Sequence, residues 1–121
     1  FSIYDMMSIL KSKCEIETIG LGKVMSAGTL LLASGTKGKR KIGRHCRVMI
    51  HAVAAGSAGE LHNMENEMKS IKHIQELYIS ALSRETHMTK RTIQKLLDRR
   101  VNVYLTAAEA VEYGIADEII N

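Results

Sequence analysis

A glycine-rich turn between two apolar segments constrains the fold of this chain more than any other feature. The segment from Glu15 to Leu21 alternates apolar and polar residues and ends among glycines, which is typical of a strand. Residues 26–34 are small, apolar and uncharged, which predicts a buried helix. Because Gly20 and Gly22 permit a tight turn, the two segments form a strand–turn–helix unit of an α/β fold.

Apolar periodicity in the rest of the chain continues this alternation of strands and helices. Helices are predicted over residues 3–12, along an apolar stripe from Leu61 to Leu82, and from the cap Thr89 to Leu97. Further strands are predicted at Arg47–Ile50, Val101–Leu105 and Ile115–Ile120, and capping boxes at Ser57/Glu60 and Thr106/Glu109. Strands separated by helices predict a parallel sheet with right-handed crossovers.

Length and composition limit the number of domains and the class of protein. A chain of 121 residues that is 45% hydrophobic and 25% charged is one globular domain at most. Its apolar runs are shorter than the roughly 18 residues of a membrane span, and its N-terminus lacks a signal-peptide pattern. It also lacks an initiator methionine, so we expect a piece of a longer chain. Two cysteines, Cys14 and Cys46, favour a reducing, cytoplasmic setting.

Positive charge is concentrated in one stretch of the chain, whose net charge is +4. The basic residues there are Lys37, Lys39, Arg40, Lys41, Arg44 and Arg47. They predict either a phosphate-binding patch or a solvated, charged strand edge. With one Phe, four Tyr and no Trp to stack on bases, nucleic-acid binding is disfavoured, and we favour the solvated edge.

Two residues suggest chemistry. Ser26 stands at the predicted start of the buried helix, and His51 directly follows the predicted strand Arg47–Ile50. A hydroxyl and a base are the minimum requirement for acyl transfer, and the backbone N–H of Ala27 would face a developing oxyanion. Taken alone, each residue is more often structural. The histidines and cysteines lack zinc-ligand spacing, so we predict no metal site.

Four motifs, in order and in spacing, resemble the ClpP family, the proteolytic subunits of the ATP-dependent caseinolytic protease. They are Gly22-x-x-x-Ser26-x-Gly28, Leu31-Leu32-Ala33-x-Gly35-x-Lys37-Gly38-Lys39-Arg40, Arg47-Val48-Met49-Ile50-His51 and Ala108-Glu109-Ala110-Val111-Glu112-Tyr113-Gly114. The resemblance implies a crotonase-like α/β fold, with repeated ββα-type units, a parallel sheet and a long handle helix. It also implies a serine endopeptidase without a cofactor, in which Ser26 is the nucleophile, His51 the base and the Ala27 N–H an oxyanion donor.

The resemblance leaves the third catalytic residue open. The family has an aspartate four residues before the threonine of the last capping box, and this chain has Asn102 there; Asp98 is the nearby acidic residue. An Asn orients His51 without adding negative charge, and Asp-to-Asn exchange in a serine protease costs on the order of 10⁴ in kcat. The alternatives are a Ser-His-Asn site, which we favour, a site that uses Asp98, and a weakened or inactive subunit.

The resemblance also sets expectations for the whole protein. The chain is expected to be one ClpP-like domain over residues 1–121, incomplete at its N-terminus, where the family's second oxyanion donor lies. Residues 54–86 would form the handle, with Ala54, Ala55 and Gly56 beside an extended peptide substrate.

The implied partners are unfolded proteins or peptides, a Clp-type AAA+ unfoldase and copies of the same chain in heptameric, possibly stacked, rings. Nucleic acid and membrane are not implied. Two other functions compete: a weak or inactive structural ring subunit, and, less favoured, an acyl-CoA-processing enzyme of the crotonase fold.

Overall fold

The computed structural model describes residues 1–52, 61–99 and 102–121, with side chains of the long helix described from residue 65 onwards. The helices are α1 (Ser2–Leu10), α2 (Ala27–Ala33), α3 (Leu61–Glu85), α4 (Lys90–Leu97) and α5 (Ala107–Glu112). The strands are β1 (Thr18–Gly20), β2 (Lys23–Met25), β3 (Arg40–Gly43), β4 (Arg47–Ile50), β5 (Val103–Leu105) and β6 (Glu118–Ile120). The expected mixed α/β class is confirmed.

The described strands form two three-stranded sheets. One has the order β1-β3-β6 with both pairs parallel, and the other has the order β2-β4-β5. In the second sheet β2 runs parallel to β4, with Met25 opposite Met49, whereas β5 runs antiparallel to β4, with Tyr104 opposite Met49. The expectation of parallel pairing therefore fails for β5. In the described part of the segment between β4 and β5 there are two helices, α3 and α4, whereas a parallel crossover commonly uses one.

Caps and periodicity predicted several elements well. Strand β4 has the predicted bounds, Thr89 caps α4 by accepting from the Thr92 N–H, and Thr106 and Glu109 form the predicted capping box. Strands β2 and β3 were not predicted, because β2 lies next to the glycine turn and β3 lies in the basic stretch, and neither has the continuous apolar run that indicated β4. The predicted capping box at Ser57/Glu60 lies outside the described residues.

Apolar side chains from both sheets and all five helices form the core. Its most buried members include Ile42, Val48, Ile50, Leu82, Ile93 and Ile115. Among the side chains of α3 described from residue 65 onwards, those in the core come from its C-terminal half, such as Tyr78 and Leu82, while Met68 is 66% exposed. Among the described residues no helix is both long enough and apolar enough to cross a membrane.

Arg40 does not belong to a solvated basic edge, and that prediction is wrong for this residue. Its side chain is buried and donates to both carboxylate oxygens of Asp117, at 2.9 and 2.7 Å. It also donates to the carbonyls of Ala33 at 3.0 Å and Glu85 at 2.7 Å. Arg40 therefore joins β3 to the ends of α2 and α3, and its charge is compensated inside the fold.

Candidate active site

Ser26 lies between β2 and α2 in an unusual backbone conformation. Its φ of 57° and ψ of −112° make it the one non-glycine residue with a positive φ in the described part of the chain. This conformation costs of order 1–3 kcal/mol, and such strain clusters at functional sites. Two hydrogen bonds to the Met49 carbonyl hold the turn on β4, one from the Ser26 N–H at 2.9 Å and one from the Thr29 hydroxyl at 3.0 Å.

Strand register brings His51 to Ser26. Because β2 and β4 are parallel, with Met25 opposite Met49, the residues that follow both strands lie at the same edge of the sheet. The Ser26 Oγ lies 2.9 Å from Nε2 of His51. This distance is a hydrogen bond between a hydroxyl and an imidazole nitrogen, the arrangement in which a base activates a nucleophile.

The other ring nitrogen of His51 defines the tautomer. Nδ1 lies 2.6 Å from the carbonyl oxygen of Ala52. Because a carbonyl oxygen only accepts hydrogen bonds, Nδ1 carries the proton and donates it. In the neutral ring Nε2 is then the acceptor for the Ser26 hydroxyl, which is the tautomer that a general base requires.

The two candidates for a third catalytic residue differ in their position relative to His51. Because β5 runs antiparallel to β4 with Val103 opposite Ile50, continuing that register sets Asn102 opposite His51, whereas Asp98 lies at the end of α4. Asp98 is exposed, forms the C-cap of α4 and accepts from Nε2 of Gln94 at 2.9 Å. Asn102 is exposed and directly precedes β5. Within residues 1–52, 61–99 and 102–121, no hydrogen bond joins either side chain to His51, so the assignment of Asn102 stays a prediction.

Ala27, the predicted oxyanion donor, is the first residue of α2. The N–H groups in the first turn of a helix lack intrahelical acceptors, and the helix dipole adds partial positive charge there. Since Ala27 follows the nucleophile directly, its N–H is suited to receive negative charge that develops next to Ser26 Oγ.

A cavity of about 470 Å³ adjoins the pair. Besides Ser26 and His51 its lining is mostly apolar and comes from the N-terminus, α1, α2 and α3, including Leu30, Leu31 and Ile74. Such a concave apolar site beside two polar groups is typical of a binding pocket. The predicted substrate-binding residues Ala54, Ala55 and Gly56 lie outside the described residues.

Sequence reasoning missed the part that Tyr78 plays. It belongs to the predicted apolar stripe of α3, yet its hydroxyl donates to the Ser26 carbonyl at 2.9 Å. Burial raises the pKa of Tyr78, so the hydroxyl stays protonated. The signal in the sequence was a hydroxyl on an otherwise aliphatic stripe, because a buried tyrosine needs a hydrogen-bond partner.

Comparison with known proteins identifies the family of this chain. The family model for Clp protease matches residues 1–121. The chain is 36% identical to the ATP-dependent Clp protease proteolytic subunit 1 of Prochlorococcus marinus (strain MIT 9312), over 99% of the chain and 63% of that relative. It is 38% identical to the protein of the same name from Bifidobacterium longum (strain NCC 2705), over 98% of the chain and 50% of that relative. The chain thus spans one half to two thirds of the length of these relatives, and it belongs to the Clp protease family.

Proposed function

We propose that this chain carries the catalytic centre of a serine endopeptidase subunit that hydrolyses peptide bonds. The observation that carries the proposal is the 2.9 Å distance between Ser26 Oγ and Nε2 of His51, with Nδ1 donating to a carbonyl. Membership of the Clp protease family and relatives named as proteolytic subunits support the same activity.

The proposed mechanism has two half-reactions. Ser26 Oγ attacks the carbonyl carbon of the substrate while its proton moves to Nε2 of His51, and the oxyanion accepts a hydrogen bond from the Ala27 N–H. The imidazolium then gives its proton to the leaving amine as the C–N bond breaks. Water, deprotonated by His51, attacks the acyl-enzyme and releases the acid with a free Ser26 hydroxyl.

Asn102 is proposed to orient His51, with Asp98 as the alternative. The Ala52 carbonyl competes with both as the acceptor for Nδ1–H, since it already accepts at 2.6 Å. Neither an amide nor a main-chain carbonyl carries a negative charge, so the imidazolium would be stabilised less than by a carboxylate.

Alanine substitutions separate these acceptors. If Asn102 orients His51, then Asn102→Ala lowers kcat by about 10-fold and Asp98→Ala leaves it unchanged. The reverse result would assign the role to Asp98. Full rates in both variants would leave the Ala52 carbonyl as the acceptor and remove both side chains from the mechanism.

The proposed setting of this chemistry is a self-compartmentalised protease. Copies of the chain would form heptameric rings that stack through the handle at residues 54–86, and a Clp-type AAA+ unfoldase would deliver unfolded proteins or peptides. Exposed apolar side chains on α3, Met68, Ile74 and Leu77, support a contact between subunits. Enclosure, rather than a selective pocket, would restrict access, and the proposed location is the cytoplasm.

A weak or inactive ring subunit is the competing function. It is favoured by Asn102 at the position where the family has an aspartate and by a His51 whose Nδ1 faces an uncharged acceptor. In that case the chain would contribute structure to a ring whose other subunits cleave the substrate.

Reaction with a fluorophosphonate probe tests the activity. We expect the full-length protein to gain one phosphonyl group on Ser26, detected by mass spectrometry of the intact protein and of its peptides. Ser26→Ala should abolish the modification, whereas the exposed Ser12→Ala should retain it. An unmodified protein, under conditions where an active ClpP reacts, would support the inactive subunit instead.

A further inference from the structure

The hydroxyl of Tyr78 reaches the main chain of the nucleophile from a different helix. It donates to the Ser26 carbonyl at 2.9 Å, and the two residues are 52 positions apart in the sequence. The same carbonyl also accepts from the Thr29 N–H at 3.1 Å, within the first turn of α2. Tyr78 is only 9% exposed, so this hydrogen bond is shielded from water.

The Ser26 carbonyl and the Ala27 N–H belong to the same peptide unit. Because a trans peptide is planar, its C=O and N–H point in opposite directions, and a group that holds one also sets the direction of the other. A hydrogen bond to the carbonyl further polarises the unit, which strengthens the N–H as a donor. A hydrogen bond from α3 to the Ser26 carbonyl therefore affects the direction and the donor strength of the Ala27 N–H, which lies on the side where the oxyanion forms.

The conformation of Ser26 explains why such a contact is needed. At a φ of 57° and a ψ of −112° this residue lies outside the broad allowed regions, and strained conformations persist only where surrounding contacts determine them. The Ser26 N–H donates to the Met49 carbonyl, and this hydrogen bond fixes the Met25–Ser26 peptide against β4. Tyr78 supplies the long-range restraint on the peptide that follows.

We propose that Tyr78 is a positioning residue that directs the Ala27 N–H at the oxyanion by holding the Ser26 carbonyl. The proposal rests on the proposed peptidase function and adds to it a residue outside the nucleophile, the base and the oxyanion donor. The Tyr78 hydroxyl donates to the Ser26 carbonyl, whereas Ser26 Oγ pairs with His51, so Tyr78 acts on the site through one peptide bond.

Tyr78→Phe in the full-length protein removes the hydroxyl and keeps the ring. We expect the second-order rate of fluorophosphonate labelling and the kcat for a fluorogenic peptide to fall about 5- to 30-fold, the effect of one hydrogen bond that strengthens in the transition state. The decrease should stay below the 10²- to 10³-fold loss that follows removal of a whole oxyanion donor. KM should change less than twofold, because the ground state gains little from that donor.

Thr86→Val is the matched control for a loss of stability. Thr86 is buried on the same stretch of chain, two helical turns beyond Tyr78, and its hydroxyl donates to the Leu82 carbonyl at 2.6 Å. Both variants lose a buried hydroxyl, so both should melt at a lower temperature than the parent. Only Tyr78→Phe should lower kcat when the rates are measured well below both melting temperatures.

Crystal structures of the parent and of Tyr78→Phe provide a readout that does not depend on activity. We expect the Ser26–Ala27 peptide to rotate away from its parental orientation in the variant. An unchanged peptide, or parental labelling and kcat, would overturn the role of Tyr78. If the parent itself is not labelled, the proposed peptidase function fails, and the orientation of this peptide alone then decides whether Tyr78 positions it.

Discussion

At the scale of single residues, two glycines share a left-handed backbone conformation but differ in their surroundings. Gly114, just beyond α5, has a φ of +79°, and a Cβ there would lie 2.6 Å from Cγ of His87 and 2.8 Å from its backbone nitrogen. Gly22, with a φ of +68°, has no atom within 4 Å of the equivalent position in the described residues. Conformation alone therefore favours glycine at position 22, whereas conformation and space both require it at position 114.

Alanine substitutions at these glycines should separate the two effects. Gly114→Ala should lower the free energy of unfolding by about 3 kcal/mol or more, since a left-handed penalty and a steric overlap add. Gly22→Ala should cost only the conformational penalty, about 1 kcal/mol. Urea denaturation of both variants measures the difference, and equal costs would show that the His87 contact relaxes freely.

At the scale of secondary-structure elements, one ion pair connects four of them. Arg40 begins β3, donates to carbonyls at the ends of α2 and α3, and pairs with Asp117, which precedes β6. The pKa of Asp117 is lowered from 3.8 to about 2, mainly by hydrogen bonds from the Arg40 side chain. Hydrogen bonds from the backbone N–H groups of Arg40 and Gly38 lower this pKa further. The charged carboxylate is thus bound more tightly in the folded state than the protonated acid.

Asp117→Asn should therefore destabilise the protein in a pH-dependent way. A carboxylate whose pKa is depressed on folding stabilises the native state above about pH 4, and this contribution is lost as the pH falls towards 2. At pH 7 we expect the variant to lose roughly 3 kcal/mol, because Arg40 keeps a buried charge without its anionic partner. In urea denaturation, the difference in the free energy of unfolding between parent and variant should disappear as the pH is lowered from 4 to 2.

An exposed acid on the same strand edge serves as the control. Glu118 lies 3.9 Å from Lys41 and its side chain is 56% exposed, so Glu118→Gln should change stability by less than about 1 kcal/mol. If Asp117→Asn lowered the free energy of unfolding by the same amount at pH 2 as at pH 7, the charge on Asp117 would not be the source of the stabilisation.

These elements also show what the sequence could predict. Helices α4 and α5 were predicted at the correct starts because a cap and its partner lie three residues apart and depend on local geometry alone. The role of Arg40 could not be predicted, since its partners lie 7, 45 and 77 residues away. The pairing of Ser26 with His51 depends on the Met25–Met49 register, so resemblance to a family predicted it where local patterns did not.

At the scale of the whole molecule, α3 has two different halves. From Tyr78 onwards it packs into the core, where Ile79, Ala81 and Leu82 are buried. Closer to its start it presents apolar side chains to solvent, with Met68 66% exposed and Leu77 43% exposed. An amphipathic helix that extends beyond its own core gains stability only if another surface covers its free end, and a second copy of the chain is the proposed surface.

A charge on this free end should therefore weaken the assembly. Burying a methionine side chain contributes about 1.5–3 kcal/mol, whereas burying an unpaired carboxylate is strongly unfavourable. We expect Met68→Glu in the full-length protein to shift native mass spectra and light-scattering masses from rings towards smaller species. Lys69→Gln changes the net charge by the same amount at an exposed position of α3, about 100° around the helix from Met68 and away from its apolar stripe, and should leave the assembly intact. If Met68→Glu assembles as the parent does, the apolar stripe of α3 does not form the contact between subunits, and the ring must be held by other surfaces.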